Sequence, residues 1–437
     1  MRPGETKTER SAPYEVDTAD KALLILADSR DERESDANAE ELRLLTESAG
    51  VTIADEMRMR RLYPDPRFFI GSGNAEDAFV RVQDVDANVV VVGADLSPTQ
   101  QRNLEDKTTV RVVDRTQLIL DIFAQRARTA EGKLQVELAQ LQYLLPRLTG
   151  KGIAMSRVGG GHAGGVATRG PGETKLETDR RRVRARISVL KDELEGVVKQ
   201  RTVQNKARKR LLVPSAALVG YTSAGKSTLL NLLAAADVEA HARLFATLDP
   251  TTRRVDLADG TSIVLSDTVG FIRNLPHHLV AAFRATLEEV VDADFLIHVV
   301  DASHHFVDEQ RGAVADVLAE LGVQDKPVIT VFNKSDRIRD QYELRRLVAE
   351  TESSCYMSAL TGEGRQYLET LIHKAVSGLM QHVSAVVPHD RGDLIAACHE
   401  RGRVESVDYL AEGVFVEADL PPDLAARLGQ FAMQTEE

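Results

Sequence analysis

Gly220-Tyr221-Thr222-Ser223-Ala224-Gly225-Lys226-Ser227 has the glycine, lysine and hydroxyl spacing GxxxxGK[ST] of a phosphate-binding loop. The glycines let backbone N–H groups approach phosphate oxygens, and a helix starting after the loop adds positive potential. Lys226 is placed to reach the β- and γ-phosphates, and the Ser227 hydroxyl to bind Mg²⁺. Further along, Asp267-Thr268-Val269-Gly270 sets a carboxylate that can hold a Mg²⁺-bound water ahead of a glycine whose N–H can meet the γ-phosphate.

Asn333-Lys334-Ser335-Asp336 carries the choice of base. A carboxylate at Asp336 can accept from both the N1–H and the 2-amino group of guanine, a donor pair that adenine lacks. Asn333 is expected to brace the phosphate loop, and Lys334 to lay its stem over the base. Ser358-Ala359-Leu360 completes the pocket with backbone N–H groups suited to guanine O6. Between the phosphate loop and Asp267 lies Phe245-Ala246-Thr247-Leu248-Asp249-Pro250-Thr251-Thr252-Arg253, read as a loop that orders only around a triphosphate. A threonine there offers its hydroxyl to Mg²⁺ and its N–H to the γ-phosphate, and on spacing alone Thr247, Thr251 and Thr252 all compete for the role.

Each of these segments needs a strand before it, and the sequence supplies apolar runs at 216–219, 263–265, 328–332 and 355–357. Residues 214–380 are therefore read as a phosphate-loop nucleotide-binding domain with a mostly parallel sheet. Ahead of it, short apolar runs at 22–27, 88–92 and 110–113 and the amphipathic stretch 39–48 give residues 21–129 as a smaller α/β domain, with Ser97 and Asp114 starting helices. Residues 1–20 are polar, lack the apolar core of a signal peptide and are expected to be a tail. Ile70-Gly71-Ser72-Gly73 resembles half of a dinucleotide fingerprint but lacks its third glycine and later acidic residue, so it is read as a turn.

The period then changes. Leu134, Leu138, Leu141, Leu145 and Leu148, and later Val183, Ile187, Leu190, Leu194 and Val197, follow heptad spacing. A glycine-rich connector, residues 150–172, joins them, so residues 130–213 are expected to form an antiparallel helical hairpin with this loop at its tip; the alternative is two independent helices on a disordered linker. Lys175, Arg180, Arg181, Arg182, Arg184 and Arg186 cluster at the start of the second helix, and Lys206, Arg208, Lys209 and Arg210 at its end. With few acidic residues nearby in sequence, these clusters suggest a polyanion such as RNA backbone, against the plainer reading of a solvated face. Residues 381–437 read as a small α+β domain with a hairpin turn at Gly413 and strands at 404–410 and 414–417.

Composition narrows the class. The 437 residues carry 55 Lys and Arg against 67 Asp and Glu, a formal charge of −12 that excludes binding by bulk positive charge. With only 2 cysteines, Cys355 and Cys398, there is no disulfide framework or zinc spacing. Apolar runs fall far short of the ~20 residues a membrane span needs. The expected setting is a reducing cytosol, at most peripheral to a membrane.

Together the motifs resemble those of the HflX family of ribosome-associated GTPases. The matching stretches are residues 129–141 (TAEGKLQVELAQL), 169–181 (RGPGETKLETDRR), 245–253 (FATLDPTTR) and 267–279 (DTVGFIRNLPHHL). The resemblance implies Mg²⁺-dependent GTP hydrolysis with Lys226, Thr247 and Gly270 at the reacting phosphate. It implies that Thr247 joins Ser227 on the metal. It also implies binding of the large ribosomal subunit and its rRNA through the glycine loop, and splitting of stalled ribosomes. A protein that is monomeric off the ribosome is expected. A GTP-regulated adaptor that docks a protein partner through the hairpin is the alternative, as is a ribosome-assembly role or a separate ATP-driven, RNA-remodelling activity in residues 21–129. Two departures matter. Phe271 stands where many GTPases place a glutamine that orients water, and Ser223 where the family usually has asparagine, which bears on potassium activation.

Overall fold

The computed structural model describes residues 20–28, 31–60, 64–148, 171–211, 213–234, 244–245, 248, 250–258, 262–273, 287–338 and 340–431. The chain divides into two compact units, residues 1–197 with 242–248 and 276–283, and residues 198–241 with 249–275 and 284–437.

In the first unit, β1 (Lys21–Asp28), β2 (Thr52–Arg60), β3 (Val89–Val92) and β4 (Arg111–Asp114) form a parallel sheet in the order β2-β1-β3-β4. Helices α1 (Glu32–Ser48), α2 (Ser72–Asp84) and α3 (Pro98–Thr108) make the crossovers, and α4 (Arg115–Arg126) follows β4. The inner strands β1 and β3 are buried on both faces, hence their unbroken apolar runs. Strand β2 escapes an apolar-run criterion because it is an edge. Its Met57 and Met59 point inward, whereas Asp55 and Glu56 are held by Arg81 and Arg43 from the flanking helices. Ser97 caps α3 in a reciprocal box with Gln100, and Asp114 caps α4. Gly71 turns the chain at φ +86° immediately before α2, and Gly73 lies within that helix.

Helix α5 (Ala130–Leu144) ends in a tight turn, Leu145–Arg147, so the expected leucine seam is not one continuous helix: Pro146 supplies no N–H and blocks propagation. Helix α6 (Pro171–Leu211) then runs back along α5. Arg186 pairs with Glu137 at 2.8 Å, and Arg180 donates to the Leu148 carbonyl at 3.0 Å, an order that only antiparallel helices give. Pro171 and Gly172, expected in the connector, instead begin α6, where a proline at the first turn lacks only a donor that would be unpaired anyway. The remaining connector, including Gly159-Gly160-Gly161, lies outside the described residues.

The second unit contains a six-stranded sheet in the order β10-β9-β8-β5-β7-β6. It comprises β5 (Ser215–Val219), β6 (Thr251–Asp256), β7 (Ser262–Asp267), β8 (Phe295–Asp301), β9 (Val328–Asn333) and β10 (Ser354–Tyr356), with only β6 antiparallel to its neighbour. Strand order reverses at β5, and that crevice at the carboxyl ends is where open parallel sheets bind ligands. Helix α7 (Lys226–Ala234) follows β5 and buries Leu229, Leu230 and Leu233 against the sheet. A separate antiparallel sheet, β11 (Gln381–Val387), β13 (Gly413–Leu420) and β12 (Arg403–Leu410), packs its core residues with Leu394, Cys398 and Leu424 from the helices Gly392–Arg401 and Pro422–Leu428. Strand β13 extends to Leu420, past the expected 414–417, because Ala418 and Leu420 continue the buried alternation across two charges.

Candidate nucleotide-binding site

Backbone geometry sets the phosphate loop first. Gly220 and Gly225 lie at φ +152° and +101°; a Cβ at either would come within 2.2 Å of the Val299 carbonyl oxygen or of Asn333 Nδ2. Side chains are excluded there by contact as well as by conformation. Ser223 also takes a left-handed φ of +60° and is exposed, and Ala224 is fully buried between them.

Lys226, at the first residue of α7, is buried and donates to the Gly220 and Tyr221 carbonyls at 3.0 and 2.9 Å. The loop thus curls around the ammonium. Burial lowers its pKa to about 8, opposed by the Asp267 carboxylate. Ser227 donates to Asp267 Oδ2 at 2.6 Å, which joins the phosphate loop to the end of β7. This hydroxyl and carboxylate are hard oxygen donors of the kind Mg²⁺ takes together with phosphates and waters. Among the described residues no group of three or more His, Cys, Asp or Glu could hold a metal by itself. The donor set therefore fits a cation shared with a nucleotide.

The segment after β7 is sewn to the same loop. Thr268 donates its hydroxyl to the Leu218 carbonyl at 2.6 Å, the Thr222 N–H donates to the Phe271 carbonyl at 2.8 Å, and the Phe271 N–H donates to the Gly220 carbonyl at 3.0 Å. Val269 is buried beside them. Gly270 sits so close to Lys226 that a Cβ there would lie 3.1 Å from Nζ and 2.8 Å from Thr222 Cα. Phe271 turns its ring into the apolar cluster of Val219, Leu287 and Val290 and is 2% exposed, so it presents no polar group to the phosphate region. Sequence reasoning gave Thr222 and Tyr221 no individual role. Yet the Thr222 hydroxyl is buried with no hydrogen-bond partner among the described residues, and the Tyr221 hydroxyl accepts from the Arg273 N–H at 3.0 Å.

At the ends of β9 and β10 the residues expected to read the base converge. Asn333 donates to the Ala224 carbonyl and accepts from the Ala359 N–H, both at 2.8 Å, so one buried amide ties two loops together. Ser358 donates to Asp336 Oδ1 at 2.5 Å, and the Ser335 N–H donates to the Met357 carbonyl at 3.2 Å. Lys334 takes φ +64° and pairs with Asp301 at 2.6 Å. Leu360 is 76% exposed, an apolar side chain standing out beside Ser358 and Ala359.

Ala246, Thr247 and Asp249 lie outside the described residues. Their neighbours are placed. Leu244, Phe245 and Leu248 are buried; the Leu244 N–H donates to the Ser48 hydroxyl at 3.0 Å, and the Phe245 ring meets Phe123. Thr251 and Thr252, expected in the loop, instead begin β6, with Thr252 hydrogen-bonded to Ser266 at 2.9 Å. They pair in antiparallel register with Asp267 and Ser266 of β7, so the loop is shorter than the sequence suggested.

On α6, Arg181, Arg182 and Arg184 are exposed. The expectation that acidic partners are sparse is corrected, because Arg182 pairs with Asp179 at 3.6 Å, Arg184 with Glu177 at 3.5 Å and Arg186 with Glu137 across the hairpin. Helical spacing and the neighbouring helix supply them. Exposed pairs of this kind are worth at most about 1 kcal/mol, so a polyanion can replace them. The side chains of Lys175, Lys206, Arg208, Lys209 and Arg210 lie outside those described.

Three families match successive stretches of the chain. Residues 36–124 match the family described as GTP-binding GTPase N-terminal, 126–208 the GTP-binding GTPase Middle Region, and 215–334 the 50S ribosome-binding GTPase family. "GTPase HflX" of Lacrimispora saccharolytica is 43% identical over 413 residues, covering 94% of this chain and 96% of that protein. "GTPase HflX" of Escherichia coli K12 is 43% identical over 390 residues, covering 89% and 90%. Among solved structures, a GTP-binding protein of the archaeon Sulfolobus solfataricus in complex with GDP aligns with 82% of this chain and 99% of its own, at 26% identity and a TM-score of 0.45. Among the described residues no helix is long and apolar enough to cross a membrane.

Proposed function

Because the chain belongs to the HflX family of GTPases, we propose that this GTP-binding enzyme is a nucleotide-gated ligand of the large ribosomal subunit that separates stalled or idle ribosomes into subunits. The observation that carries the reading is the row of exposed arginines on α6, directly after the glycine-rich connector, in a chain whose residues 215–334 match a 50S ribosome-binding GTPase family. An otherwise acidic protein concentrates positive charge where a phosphate backbone can exchange with weak surface pairs.

In this reading Lys226 and the backbone from Gly220 to Ser227 hold the β- and γ-phosphates. Ser227 and Thr247, with Asp267, would hold Mg²⁺, which would neutralise charge on the phosphate oxygens. The Gly270 N–H senses the γ-phosphate, and Asn333, Lys334, Asp336 and the 358–360 segment select guanine. The Phe271 ring is withdrawn into the core and cannot orient water, which supports slow hydrolysis until a partner completes the site. Differential affinity of the GTP and GDP forms for the ribosome then performs the switching.

Sedimentation of the full chain with large subunits tests this directly. Co-sedimentation with a non-hydrolysable GTP analogue and release with GDP is expected, together with faster GTP turnover when subunits are added. Equal binding in both nucleotide states, with an unchanged rate, overturns it.

A further inference from the structure

We propose that Asp301 is a positioning residue for guanine-nucleotide binding, acting through Lys334, an inference that rests on the base-pocket assignment above. Asp301 ends β8 in register with Asn333 at the end of β9, and the two strand ends are clasped by the Ala302 N–H donating to the Asn333 carbonyl at 3.0 Å. Its carboxylate is divided between two tasks. Oδ1 accepts from the Ser303 N–H at 3.0 Å and the Ser303 hydroxyl at 2.6 Å, whereas Oδ2 accepts from Lys334 Nζ at 2.6 Å. The pair is largely withdrawn from water, with side chains 12% and 21% exposed.

Lys334 is the next residue after Asn333 and sits in the left-handed region, so its Cβ direction is set by an unusual backbone. A free lysine stem samples many rotamers, and immobilising it on a ligand costs affinity. Tethering the ammonium to a carboxylate that is itself held by Ser303 removes that freedom before any nucleotide arrives. The apolar stem is then laid out as a platform for the purine face. Such a platform is blind to the 2-amino group. Its loss weakens guanosine and inosine nucleotides equally, whereas loss of Asp336 changes their ratio.

A structural ion pair that merely fastens β8 to β9 makes a different prediction: lower thermal stability with unchanged affinity. Calorimetric titration of the full chain with GDP and with IDP separates the two. Asp301→Asn, which keeps the Ser303 acceptor but removes the charge, is expected to raise both Kd values about tenfold. Saturated GTP turnover stays within about twofold of the parent. Lys334→Ala is expected to lose at least as much, the double variant no more than Lys334→Ala alone, and Asp301→Glu to recover part of the loss. If Asp301→Asn does not fold, Ser303→Ala loosens the same carboxylate and is expected to raise Kd about threefold.

Unchanged affinity in Asp301→Asn while Lys334→Ala binds weakly overturns the proposal, as do strictly additive losses in the double variant or unchanged affinity in a Ser303→Ala that stands in for it. Unchanged affinity in Lys334→Ala instead removes the base-pocket assignment itself, and the proposal with it.

Discussion

The ring of Phe245 meets that of Phe123 edge to face, with centroids 4.6 Å apart and planes inclined by 70°. One residue earlier, the Leu244 N–H is held by Ser48. Leu244 and Phe245 are thus held to α1 and α4, all within the first unit. Phe123→Leu, which keeps an apolar filling but loses the ring pairing, is expected to lower hydrogen-exchange protection of the Leu244 amide about tenfold, since aromatic pairs add roughly 0.5–1.5 kcal/mol beyond area. Unaltered protection would show that Ser48 alone holds the segment.

Gly225→Ala meets two obstacles at once. A Cβ would lie 2.2 Å from Asn333 Nδ2, and φ +101° disfavours any side chain. Backbone strain of about 1–3 kcal/mol together with displacement of the Asn333 brace is expected to raise the Kd for GDP more than about tenfold. Titration with GDP checks it, and Gly196→Ala, where a Cβ meets nothing within 4 Å, is the control.

Asp336→Asn exchanges an acceptor pair for an amide that can donate to a carbonyl at position 2 of the purine. Preference is expected to move from guanosine to xanthosine nucleotides by at least about tenfold, because Asp336, exposed in the free chain, is covered by a bound base, and a polar group left unpaired there costs about 1–3 kcal/mol. Competition between GTP and XTP reads it out. Persistence of the GTP preference would take base reading away from Asp336.

His298 on β8 lies beside Val219 at the end of β5. Burial, reinforced by the cations of Arg311 and Lys226, lowers its pKa to about 4 from an ordinary 6.5. The unfolded chain therefore binds more protons than the folded one between these values, so stability falls as pH drops through that window and is unaffected by this group above it. Melting temperatures across pH 4 to 7 should fall less steeply in His298→Gln than in the parent. Parallel curves would exclude His298 as the source.

Replacing Arg181, Arg182 and Arg184 together by Ala is expected to weaken large-subunit binding. It should also reduce the dependence of log K on log salt by about 0.7–0.9 for each phosphate no longer neutralised. GTP turnover without ribosomes should be unchanged. An undiminished salt slope would point to a protein surface in place of rRNA.

Local patterns in the sequence were enough to place residues 220–227, 267–270 and 333–336 at the carboxyl ends of strands, because each is a short contiguous string flanked by an apolar strand. Tertiary structure decided what depends on partners distant in sequence. Strand β2 hides its apolar residues among charges that only Arg43 and Arg81 explain, and the exposed arginines of α6 acquire their acidic partners by helical geometry and by the return of the chain along α5. The withdrawal of Phe271 into the core, the clasp of Asp301 on Lys334 and the docking of Phe245 against Phe123 likewise follow from packing. Hydrogen bonds and burial between residues far apart in the chain leave no periodicity to read, whereas a glycine needed at φ +101° or a carboxylate at a strand end does.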